Sequence, residues 1–129
     1  MKILFILCFF SLFIISCDYE GKTEIKITNE SLYNLQIKFN IDENIFYYEN
    51  NEYKDIKINM NKSASFLLTA LNYNRNPNKE VVKIIFINNN SGEIINEIHN
   101  NGNLFKLTKK EPYWEYYLLY INDDLLFKN

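Results

Sequence analysis

The chain is poor in the residues that usually punctuate or staple a fold: 129 residues contain two cysteines, three glycines, two prolines, one histidine and one tryptophan, and Arg75 is the single arginine. Each shortage excludes something. Cys8 and Cys17 are too few for a disulfide scaffold. With only His99 beside them, a zinc site lacks its four nitrogen and sulfur ligands, so neither a metal nor a cofactor is expected. The longest apolar run covers residues 3–15, only 13 residues, and a spanning helix needs about 20. Net charge is −2, with lysines interleaved among Glu and Asp, so no basic patch suits nucleic acid.

What the chain has instead is Ile, Asn, Lys, Tyr and Phe. All five are encoded by AT-rich codons, so an AT-rich bacterial genome accounts for much of the bias. That explanation weakens a functional reading of any asparagine run. Beyond the apolar run no segment sustains a helical period over 11 residues.

The first 17 residues are organised in three parts. Met1 and Lys2 supply positive charge, residues 3–15 an apolar stretch, and Ser16 a small residue before Cys17. This is the layout of a secretory signal. Ile14, Ile15, Ser16 and Cys17 together resemble the lipobox of bacterial lipoproteins. The resemblance implies cleavage between Ser16 and Cys17, and a diacylglyceryl group, with palmitate, on the Cys17 thiol. Residues 1–16 are then a signal peptide, helical in itself. Residues 17–23 are the lipidated cysteine and a short polar tether, and residues 24–129 form one domain. Asp18, directly after the cysteine, resembles an inner-membrane retention signal of some Gram-negative bacteria.

The 113 residues from Cys17 onward suffice to bury about 65% of the unfolded surface in a single core. Period-two alternation dominates them. In residues 33–41, Tyr33, Leu35, Ile37, Phe39 and Ile41 point one way while Asn34, Gln36, Lys38 and Asn40 point the other. Residues 23–28 alternate through Ile25 and Ile27, and residues 54–60 through Ile56, Ile58 and Met60. Residues 64–73 and 81–87 are apolar on both faces and are expected at sheet centres. Further strands are expected over 93–99, 104–108 and 115–121. Asn61-Lys62 reads as a tight turn, 88–92 and Asn101-Gly102 as hairpin turns, and 109–112 as a corner. Pro77 excludes a central strand from the loop over residues 72–79, and residues 124–127 end the chain. This pattern predicts an all-β fold, an antiparallel β-sandwich of about eight or nine strands, with a small closed barrel as the alternative.

Chemistry-bearing constellations are sparse. His99 ends a strand, and no serine is placed beside it by sequence. Asp42, Glu43, Glu49, Glu52 and Asp55 flank one loop, and Asp123-Asp124 lie in the last turn, without a calcium-loop pattern. No catalytic residue is assigned. The most unusual cluster is aromatic: Tyr113, Trp114, Tyr116, Tyr117 and Tyr120, with Tyr113 and Trp114 at a rim and Tyr116 and Tyr120 sharing a face with Leu118. Phe46, Tyr47 and Tyr48 form a second group. Tyr113, Trp114, Tyr116, Tyr47 and Tyr48 are therefore the candidate contact residues for a partner.

The sequence reads as a lipid-anchored protein of the bacterial cell envelope, not an enzyme, whose partners are the membrane through Cys17 and a protein or glycan. A carbohydrate-binding module on the rim aromatics is the second reading. A hydrolase built on His99 or the acidic loop is the weakest of the three. Replacing Cys17 with Ser is expected to abolish palmitate labelling and membrane partitioning; unchanged partitioning would refute the anchor.

Overall fold

A computed structural model describes residues 19–41, 55–71, 75–100 and 102–128. Cys17, Ser16, the signal segment expected to be helical, Tyr47, Tyr48 and the acidic residues of 42–52 lie outside them. The described residues form eight strands, β1 (Glu20–Asn29), β2 (Leu35–Ile41), β3 (Asp55–Ile58), β4 (Lys62–Leu71), β5 (Val81–Asn88), β6 (Ile94–His99), β7 (Lys106–Glu111) and β8 (Trp114–Ile121). Two short helices, α1 (Pro77–Glu80) and α2 (Asp123–Phe127), complete the order. The strands form two four-stranded sheets, β4-β1-β8-β7 (sheet A) and β3-β2-β5-β6 (sheet B). The fold is the expected sandwich type, and neither sheet closes into a barrel.

The alternation read from sequence decides which side chains meet between the layers. Ile25 and Ile27 of β1 and Tyr117, Leu119 and Ile121 of β8 face Leu35, Ile37 and Phe39 of β2 and Ile84 and Phe86 of β5. Each such side chain contributes about 1.5–3 kcal/mol on burial. Phe39 links the layers at one end, 6.1 Å from the Phe66 ring and 6.4 Å from Phe105. Leu126 of α2 is buried in the same core.

Several local expectations change. β1 and β8 pair in parallel from Lys22↔Trp114 to Asn29↔Ile121, so the sandwich is not wholly antiparallel. Side-chain alternation is the same for either pairing direction and cannot distinguish them. β5 is central, but β4 is an edge strand: Ala64, Phe66 and Leu68 turn inward while Ser63, Ser65 and Thr69 face out. The apolar run was really an alternating one with Leu67 on its outer face. The Asn61 and Gly102 turns do have positive φ, 58° and 95°, yet neither makes a hairpin; β3–β4 and β6–β7 cross between sheets. Met60 sits in the first of these turns, 43% exposed, instead of inward. Residues 109–111 continue β7, so the corner is displaced to Pro112-Tyr113. The last segment is a helix, capped by the Asn122 side chain accepting from the Leu125 amide at 2.9 Å.

Polar clasps hold the ends. Asn29, fully buried, donates through Nδ2 to the carbonyls of Tyr33 (2.8 Å), Ile58 (3.3 Å) and Asn59 (3.2 Å). Its Oδ1 accepts from the Ser31 amide and hydroxyl, at 3.1 and 2.7 Å. One side chain thereby ties the end of β1 in sheet A to the end of β3 in sheet B. At the opposite end Asn78 brackets Phe105, donating to its carbonyl (2.6 Å) and accepting from its amide (2.9 Å). Beside it, Arg75 Nε reaches both Glu80 carboxylate oxygens at 3.1 Å. Burial raises the Glu80 carboxyl above its ordinary value despite the arginine.

Asn29→Ala would remove the donor to the buried Ile58 carbonyl and the acceptor of the buried Ser31 amide and hydroxyl. It is expected to cost about 2–4 kcal/mol in urea unfolding with an unchanged m-value. A loss below about 0.5 kcal/mol would show that the clasp is dispensable.

Candidate functional site

The outer face of sheet A carries the candidate site, and β8 runs along its middle between β1 and β7. Trp114, Tyr116, Leu118 and Tyr120 alternate out of β8, because Tyr117, Leu119 and Ile121 are taken by the core. The parallel register sets Lys22 beside Trp114, Glu24 beside Tyr116, Lys26 beside Leu118 and Thr28 beside Tyr120. On the other flank Lys109 pairs with Tyr116 and Glu111 with Trp114, after a bulge between Leu107 and Lys109. Thr108, the extra residue, donates its hydroxyl to the Tyr116 carbonyl at 3.1 Å. The result is an open groove of about 470 Å³ bounded by Glu24, Lys26, Glu30, Thr108, Leu118 and Tyr120.

The aromatic rings are held by charge. The Trp114 and Tyr116 rings stack with centroids 5.7 Å apart and planes 4° from parallel. Lys22 Nζ lies 5.0 Å from the Trp114 ring centroid, and Lys109 Nζ 5.4 Å from that of Tyr116. Exposed cation–π contacts of this kind contribute about 0.5–1 kcal/mol each. Lys109 also pairs with Glu111 at 2.6 Å, and the Tyr116 hydroxyl donates to Glu111 at 3.4 Å. These contacts raise Lys109, chiefly through its hydrogen bond to Glu111, and lower Glu111 for the same reason. Further along, the Tyr120 hydroxyl donates to Glu30, which raises the phenol. Trp114 Nε1 is buried with no hydrogen-bond partner among the described residues.

The structure brings Trp114 and Tyr116 together, and sets Tyr113 next to them at the end of the face. Tyr113 occupies the β7–β8 turn, 60% exposed, with its ring 4.7 Å from Tyr19. Trp114, expected at a rim before the strand, is the first residue of β8 and half-buried. Tyr19, Lys22, Glu24, Lys26, Glu30, Lys109 and Glu111 of this surface escaped the sequence reading. Their signal was weak, because only the β1/β8 register turns the Lys-Glu-Lys alternation of β1 into a wall beside the aromatics.

The other candidates do not converge. His99 is exposed at the end of β6 in sheet B, opposite Lys83. Ser63 and Ser65 lie on β4 of sheet A, and the Ser31 hydroxyl is bound to Asn29. Ser91 accepts from the Glu93 amide at the opposite end of β6. Asp55 accepts twice from the Gln36 side chain, at 2.9 and 2.8 Å. No group of three His, Cys, Asp or Glu among the described residues could hold a metal ion.

Inside the sheet, burial pushes the Tyr117 phenol up to about 12, assisted by the charge of Glu115 and a 3.1 Å bond to it. Tyr117 therefore holds its proton more tightly when folded. Its contribution to stability is complete below pH 10 and is lost as pH rises through about 12. Absorbance titration at alkaline pH is expected to show a late phenolate that Tyr117→Phe removes. A single transition near 10 for all tyrosines would contradict it. No protein-family model matches the chain, and the comparisons with curated proteins and with solved structures also yield no match.

Proposed function

We propose that this chain is a bacterial lipoprotein, anchored in the cell envelope through Cys17, whose β-sandwich binds another protein with the outer face of sheet A. The anchor rests on Ile14, Ile15, Ser16 and Cys17. The binding role rests on one observation above the others: Trp114, Tyr116, Leu118 and Tyr120 line one face of a central strand, flanked by Lys22, Glu24, Lys26 and Lys109. An aromatic centre with a charged rim is the composition of a protein-binding surface. This reading is non-enzymatic: Tyr120 is bound to Glu30, Tyr116 and Lys109 are bound to Glu111, and no serine, histidine or cysteine is among the described residues that line the groove.

Stacking also favours a protein over a glycan. A sugar ring packs on a bare aromatic face, whereas the faces of Trp114 and Tyr116 are turned toward each other and toward the ammonium groups of Lys22 and Lys109. A protein can use the ring edges, the Leu118 side chain and the charged rim together.

Photo-crosslinkers placed at Leu118 and, on the outer face of sheet B, at Lys38 test this in intact cells. A discrete protein adduct is expected from Leu118 and none from Lys38. Tyr116→Ala and Tyr120→Ala are each expected to weaken the captured complex about tenfold. Equal adducts from both faces, or a glycan-array signal lost in Trp114→Ala, would replace this reading.

A further inference from the structure

β1 begins at Glu20, three residues earlier than the alternation suggested, with Glu20 paired to Leu71 and Lys22 to Trp114. Only Asp18 and Tyr19 then separate Cys17 from the sheet, and the Lys22 amide donates to the Tyr113 carbonyl at 2.8 Å. Two residues reach about 7 Å when extended. The headgroup layer on one side of a bilayer is itself about 5–8 Å thick. A chain lipidated at Cys17 therefore holds this end of the sandwich near the membrane surface, and the chemistry of its side chains decides whether it enters the headgroup layer.

The residues at that end suit the place. Tyr19 packs its ring on Tyr113, and Tyr113 projects from the exposed Pro112-Tyr113 turn. Tyrosine concentrates at membrane–water interfaces, where an apolar ring and a polar tip are both satisfied. The nearby lysines face groups of the protein: Lys22 the Trp114 ring, 5.0 Å from its centroid, Lys109 the Glu111 carboxylate at 2.6 Å and Lys110 that of Glu115 at 3.6 Å. Attraction to anionic lipid is therefore not what seats this rim.

We infer that the Tyr19–Tyr113 rim seats in the headgroup layer of the membrane that holds the Cys17 lipid, so that sheet A stands upright on the bilayer. This rests on the lipid-anchor reading of Cys17. Trp114 is then at the foot of the aromatic face and Tyr120 about 20 Å above it. The groove opens sideways, parallel to the membrane plane, and its partner is one that lies alongside in the same membrane.

Trp114, the single tryptophan, is the reporter. The full chain, extracted from cells, is reconstituted into phosphatidylcholine vesicles carrying a nitroxide either on the headgroup or deep in the acyl chain. The headgroup nitroxide is expected to quench Trp114 at least twice as strongly as the deep one. Tyr113→Asp should lose that quenching while Tyr120→Asp keeps it. Mass spectrometry of the same sample separates two failures. A chain without acyl mass overturns the anchor and the seating together. An acylated chain whose Trp114 is equally unaffected by both nitroxides, or whose quenching survives Tyr113→Asp, overturns the seating alone. A photo-crosslinker at Tyr113 that captures protein instead of lipid in cells would likewise assign the rim to a partner and overturn it.

Discussion

The parallel ladder between β1 and β8 is the contact on which the rest depends. It joins the first and last strands of the chain, and in doing so completes sheet A around two central strands that are both buried on one face. Ile25 and Ile27 sit beside Tyr117 and Leu119 in the core because of it. On the other side it sets Lys22 beside Trp114 and Glu24 beside Tyr116. Sliding the ladder by one residue would send every one of these side chains to the wrong face. Core and candidate site are thus two faces of one register.

That ladder also runs between the two ends of the sandwich. It starts two pairs into β1, where Tyr19 and Tyr113 meet, and finishes at Asn29 and Ile121, where the Asn29 clasp binds sheet A to sheet B. Tyr19, at one end, is two residues from Cys17 in sequence. The end near Asn29 is locked by buried hydrogen bonds and by α2, with the Leu32 amide donating to Asp123. In the proposed arrangement the locked end is distal and the aromatic rim is at the membrane. Under that proposal so short a connection would leave one fixed side turned to the surroundings, an aromatic strip between lysines and carboxylates.

Asparagine illustrates how composition can mislead. A genome bias toward AT-rich codons accounts for many asparagines, and discounting them all was the natural reading. Yet Asn29 satisfies five groups, Asn78 brackets Phe105 on both its backbone atoms, and Asn76 and Asn122 cap helices. Nothing local separates these from the exposed asparagines of the β5–β6 turn. The difference is whether the amide is surrounded by backbone carbonyls and amides from distant segments, and that is decided only by packing.

The sequence by itself determined the all-β class, the inward set Ile25, Ile27, Leu35, Ile37 and Phe39, and the grouping of Tyr116, Leu118 and Tyr120, since alternation assigns side chains to faces without knowledge of partners. It also contains the Cys17 motif, which is read from four adjacent residues. It could not determine which face of β8 is core, which strands neighbour one another, or that β4 is an edge, because period two is blind to partner and direction. Tertiary structure decided those. Long-range pairing, with β1 meeting a strand some ninety residues away, turned a loose count of tyrosines into a continuous surface. It also brought Lys22, Glu24 and Lys109 to the sides of that surface.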